Sequence, residues 1–103
     1  MIKVSVLYPR SAESRFDMSY YCESHIPLVR ARFGALCKSI GVEEGLSGAT
    51  LGSEPPYLAM GHMYFESVEA FQTAFQPHSV EIMGDIQNYT NVQPIIQISE
   101  VRL

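Results

Sequence analysis

Charge is scarce in this chain. Only 17% of its 103 residues are Asp, Glu, Lys or Arg, against about 25% in a typical domain. The formal net charge is −4, and no run of Lys or Arg occurs. Nucleic-acid backbones and anionic membrane surfaces are held by clustered cations, so neither is an expected partner. Two cysteines, Cys22 and Cys37, are too few for a disulfide scaffold and form no CxxC pair. They read as free, mostly buried thiols of a reducing compartment. The start, MIKVSVLYPR, has no apolar core of a signal peptide, and nothing approaches the roughly 18 apolar residues of a membrane span. A cytoplasmic protein is the expectation. Also missing are HxH and HExxH metal motifs, the glycine-rich phosphate loops GxGxxG and GxxxxGK[ST], and any serine in a nucleophile-elbow setting. Neither a metal nor an organic cofactor is therefore expected.

What is present is apolar: 47% of the residues. In a chain this short, that much apolar surface needs a subunit interface or a ligand pocket to cover it. Ile2, Val4, Val6 and Tyr8 alternate with Lys3, Ser5 and Leu7, which predicts a strand ended by Pro9. Asp17 is a good N-cap for a helix whose stripe runs through Met18, Tyr21, Cys22, His25, Leu28, Val29 and Phe33, with Gly34 as its terminator. Pro27 lies inside that helix. It cannot donate to the Glu23 carbonyl, so a kink or break is expected near His25–Ile26. Cys37 to Leu46 reads as a second strand. The glycines and Pro55-Pro56 that follow mark a loop.

Residues 57–65 (YLAMGHMYF) are apolar on both faces, as in a central strand, and Gly61 marks a point of close approach by a helix or a ligand. Ser67 caps a helix carrying Val68, Phe71 and Phe75, which Pro77 interrupts before it resumes through Ile82 and Ile86. Val92–Leu103 alternates again. Strand, helix, strand, strand, helix, strand is the ferredoxin-like βαββαβ order of an α+β domain. It gives a four-stranded antiparallel sheet with helices on one face. One domain covers residues 1–103. The helix-free face, with Leu7, Ile95 and Val101 among polar groups, suits a second copy, and a homodimer is expected.

The motifs FDxxYYxxxHxPL at Phe16–Leu28 and MGHxYF at Met60–Phe65 come first, followed by SVEAF at Ser67–Phe71. Pro77-His78 then leads to Glu81-Ile82-x-x-Asp85-Ile86-x-Asn88-Tyr89. Taken together over essentially the whole chain, they resemble the EthD family of dimeric α+β barrel proteins. The resemblance implies a ferredoxin-like subunit whose sheet closes against that of a second copy, with a cleft between sheet and helices. Related barrels include isomerases, decarboxylases, cyclases and cofactor-free oxygenases, so it speaks to fold more than to chemistry.

The candidate chemistry lies in three histidines and several tyrosines. His25, in the HxP motif shared with the family, is a general acid or base, or else a packed imidazole bonded at the kink. A helix end there would raise its pKa. His78, following Pro77, is a base kept neutral by a helix N-terminus, or a cap. His62 shares a strand face with Leu58, Met60 and Tyr64 and is a rigid binding group or a core residue. Tyr20, Tyr21, Tyr64 and Tyr89 offer hydroxyls to a carbonyl or enolate oxygen. Asp85 orients a histidine or serves a turn, as does Asn88. The combined expectation assigns catalysis to His25 and His78, and substrate contacts to Tyr21, His62, Tyr64, Asp85 and Tyr89. It describes a cofactor-independent proton-transfer enzyme on a small apolar carbonyl or aromatic compound. Its rivals are a non-catalytic small-molecule binder and a cofactor-free oxygenase of the same barrel class.

Overall fold

The computed structural model describes residues 1–103. Four antiparallel strands, β1 (Ile2–Pro9), β2 (Ser39–Glu44), β3 (Tyr57–Phe65) and β4 (Ile95–Glu100), form one sheet in the order β2-β3-β1-β4. The helices pack on one face: α1 (Met18–Tyr20), α2 (Ile26–Phe33), α3 (Val68–Phe75) and α4 (Ser79–Gly84). This is the α+β, ferredoxin-like arrangement expected from the pattern of apolar residues, with β1 and β3 central. No helix is long and apolar enough to cross a membrane.

Period-two alternation decides what each strand offers to each side. Ile2, Val4, Val6 and Tyr8 of β1 and Ala59, Gly61, Met63 and Phe65 of β3 point toward the helices, where most of them are buried. Lys3, Ser5, Leu7, Met60, His62 and Tyr64 point the other way. The core divides into two parts. One is aliphatic and phenylalanine-rich, centred on Val4, Val29, Phe33 and Phe65; the other is built from Tyr8, Tyr21, Ala59 and Tyr89.

The first helix starts as the sequence indicates, with the Asp17 carboxylate accepting from the Tyr20 backbone N–H at 3.0 Å. The irregularity expected near His25–Ile26 is present, but as a change of helix type and not as a break. Residues Tyr21–His25 form a π-helical turn in which the Ile26 N–H bonds to the Tyr21 carbonyl, and α2 continues with Pro27 in its first turn. The wider turn makes room for the ring and leaves Pro27 where a missing N–H costs little. The helix runs on until Gly34, whose φ of 61° ends it. The buried stripe is Tyr21, His25, Val29 and Phe33. Cys22 falls off that stripe and is exposed, contrary to the expected burial, and Cys37 is half-buried; both are free. Across the helical layer, Arg32 donates two hydrogen bonds to the Glu81 carboxylate, at 2.7 and 3.1 Å, tying α2 to α4.

Candidate functional site

Between sheet and helices lies a cavity of about 180 Å³. Fifteen of its eighteen lining residues are apolar. Val4, Val6 and Met63 give it a floor, and Val29, Phe33 and Ile82 are among the helical residues above. His25 is its one titratable helix residue apart from Tyr21.

Three local features set His25 there. The π turn swings the imidazole inward one turn after Tyr21, and the two rings stack with centroids 5.6 Å apart. Tyr89 packs against both rings, its centroid 4.7 Å from His25 and 5.0 Å from Tyr21. From the end of α4, Asp85 reaches back so that its Oδ2 lies 2.8 Å from His25 Nδ1. The second oxygen of Asp85 accepts from the Tyr20 hydroxyl at 2.7 Å and from the Asn88 side-chain amide at 2.9 Å. Asp85 thus orients the histidine, and its backbone carbonyl also serves the turn by accepting from the Asn88 N–H.

The electrostatics follow from these contacts. Burial works to raise the Asp85 pKa, but the hydrogen bonds from Tyr20, Asn88 and His25 outweigh it and hold the carboxyl below the usual range. Burial is the largest influence on His25 and lowers its pKa, with the bond to Asp85 acting in opposition. The expected rise at a helix end does not occur, because the helix does not end there. A carboxylate can only accept, so Asp85 fixes the proton on Nδ1. The Nε2 lone pair, which has no protein partner, is left available to the cavity. That arrangement is a neutral base held in one tautomer.

Tyr8 and Tyr21 complete the wall, and Tyr89, expected to contact substrate, packs against them without lining the cavity. Tyr8 and Tyr89 share a hydroxyl–hydroxyl hydrogen bond of 2.6 Å. The Tyr21 hydroxyl lies directly over Gly61, where any Cβ would collide with it, so the close approach marked by this glycine is made by a helix side chain. Burial raises the pKa of Tyr8, Tyr21 and Tyr89 alike. Their hydroxyls stay protonated, and one of the two protons of the Tyr8–Tyr89 pair is spent within it.

The other expected site residues are placed elsewhere. His62 borders the cavity floor beside Gly61, but alternation turns its imidazole to the helix-free face. There Nδ1 lies 2.9 Å from Ser5 Oγ and Nε2 lies 2.9 Å from Glu43 Oε1. Tyr64 faces the same way. His78 precedes α4 without capping it through its side chain, and it is not part of the cavity wall. Tyr8 is a wall residue that the motifs do not single out, although its place on the Ile2–Tyr8 face points to it.

A family profile, the EthD domain, matches residues 11–93. Among solved structures, the chain is similar to an EthD-like protein from Ralstonia eutropha JMP134, with 46% identity and a TM-score of 0.94 over 99% of this chain and 92% of that one. An ethyl tert-butyl ether D family protein from Bacillus halodurans C-125 is 20% identical, with a TM-score of 0.68 over 99% of both chains. A dimeric protein of unknown function with a ferredoxin-like fold, from Bacteroides fragilis NCTC 9343, is 11% identical, with a TM-score of 0.57 over 97% of this chain and 95% of that one. No curated protein matches the chain.

Proposed function

The chain belongs to the EthD family, and we propose that it is a cofactor-independent enzyme that moves a proton on a small apolar carbonyl compound. The observation that carries this is the His25–Asp85 pair bordering an apolar cavity. His25 Nε2 takes a proton from the carbon next to the carbonyl, and the electron pair left behind moves onto the carbonyl oxygen. Asp85 stabilises the imidazolium that results. Tyr21, with Tyr8 beside it, donates to the developing oxyanion. Return of the proton to another carbon completes an isomerisation and restores the neutral base. A single positioned acid–base group contributes about 10²–10⁴-fold, which such a device can supply unaided.

Size narrows the substrate. An engineered apolar cavity of about 150 Å³ in another protein holds benzene. A cavity of about 180 Å³ therefore takes a body of one ring or its aliphatic equivalent. The test is turnover of ring-sized ketones and enones, with loss of activity in a folded His25→Ala variant. A bound aromatic ketone recovered unchanged, with no exchange of its α-protons, would instead indicate a binder. Oxygen uptake with a phenolic substrate would indicate an oxygenase.

The working unit in this proposal is a homodimer. All helices lie on one sheet face. The other carries Leu7, Met60 and Tyr64 with a half-exposed Ile95, surface that a second sheet would cover. Dimeric assembly is also how the Bacteroides fragilis protein is described. The free cysteines are in keeping with a reducing, cytoplasmic setting.

A further inference from the structure

The ring-sized cavity has a neighbour. A second hollow, about 480 Å³ and open to solvent, lies beyond the end of α4. Met83 and Ile86 line both spaces, so they form the sill between them. The two chambers differ sharply in chemistry. The first is almost wholly apolar. The second is mixed, with Gln87, Thr90, Asn91 and Gln93 set among Met83, Gly84, Ile86, Val92 and Pro94, and no charged residue among its nine.

Not all of those polar groups are free to meet a ligand. The Thr90 hydroxyl donates to the Arg15 carbonyl at 2.6 Å, and Asn91 bridges the Arg15 N–H and the Glu13 carbonyl. Both hold the chain in place. Gln87 and Gln93 make no side-chain hydrogen bond, so each presents an amide with donors and an acceptor available. Met83, unbranched and 39% exposed, is the movable part of the sill.

We infer that the second hollow is a substrate subsite for a neutral polar arm, read by the amides of Gln87 and Gln93. The substrate class is then an amphiphile: a ring-sized apolar body beside His25, joined by a short chain over Met83 and Ile86 to a hydroxyl, amide or similar uncharged group. A carboxylate or phosphate is disfavoured, because no Lys or Arg lines the hollow and the chain as a whole is acidic. This inference rests on the reading of the apolar cavity as the substrate chamber.

Three probes of one skeleton test it by titration calorimetry on the intact protein: propylbenzene, 3-phenylpropan-1-ol and 3-phenylpropanoate. The alcohol should bind about tenfold tighter than the hydrocarbon, the worth of roughly one good hydrogen bond. The carboxylate should bind no tighter than the hydrocarbon. In a Gln87→Ala/Gln93→Ala double variant the tenfold gap should close, with propylbenzene affinity unchanged. Gly84→Leu should close it as well, by filling the hollow from a position where an added Cβ meets no atom within 4 Å. Equal binding of alcohol and hydrocarbon, a gap that survives both variants, or preference for the carboxylate overturns the subsite while leaving the chamber intact. Failure of all three probes to bind overturns both.

Discussion

His25 and His62 stand on opposite sides of one sheet, and each is bonded to a carboxylate. His25 is 5% exposed, stacked on Tyr21 and packed against the tilted ring of Tyr89, with one nitrogen committed to Asp85 and the other left for the cavity. His62 has both nitrogens committed, one to Ser5 and one to a half-exposed Glu43. The same pair of residue types therefore serves two ends. On the helix side, burial and a partner that itself accepts three hydrogen bonds leave a neutral base with one free lone pair. On the bare side, a strand side chain is tied off within a polar chain with Ser5 and Glu43. In the proposed mechanism, the free nitrogen is what makes His25 the base and leaves His62 a structural group.

That contrast can be broken by substitution. The largest effect belongs to His25→Ala, expected to lower kcat/KM about 10²–10⁴-fold with the far-ultraviolet dichroism unchanged. Asp85→Asn keeps the shape but lets the amide present a donor to Nδ1, so the tautomer is no longer fixed. The loss should be smaller than that of His25→Ala, because the base itself remains, and is read as a fall in kcat larger than any change in KM. Gly61→Ala acts on the same site through packing. The new methyl must displace the Tyr21 hydroxyl, at about 1–3 kcal/mol of stability, measurable as a lowered Tm. Smallest is His62→Ala, which should leave kcat within about threefold because separated sites act independently. It should instead alter how Tm depends on protein concentration. A larger loss of turnover in His62→Ala than in His25→Ala would reverse the comparison.

The pH dependence sharpens it. His25 has its pKa lowered by folding, mainly by burial. As pH falls below about 6.5, the unfolded chain takes up this proton before the folded one does. The associated stability is present above that value and lost as pH falls through the folded pKa. Asp85, also lowered, adds a further loss in more acid solution. Denaturant midpoints measured from pH 7.5 down to 5 should decline in the wild type and flatten in His25→Ala.

Much of the fold was legible because it rests on local pattern. The alternation from Ile2 to Tyr8, the two-sided apolar run 57–65, and the caps at Asp17 and Ser67 appear where expected. The Pro27 region was not, since a proline rule foresees the lost hydrogen bond but not the π turn that absorbs it. The site was legible only in part. Asp85 lies 60 residues from His25, and an Asp after a helix suits a turn equally well, so only the helix orientation joins them. Ser5 and His62, 57 residues apart, meet because of strand register, which sequence alternation leaves open. Tyr21 and Gly61 were each singled out, but the contact between them depends on how the helix lies on the sheet.

Long-range proton–nitrogen correlation of the imidazoles reads the protonation of each ring nitrogen. At pH 7 the His25 ring should be neutral, carry its proton on Nδ1 and titrate below 6.5, with its Nε2 resonance moving when a ring-sized ketone is added. A His25 ring protonated on Nε2, or still charged at pH 7, would contradict the account.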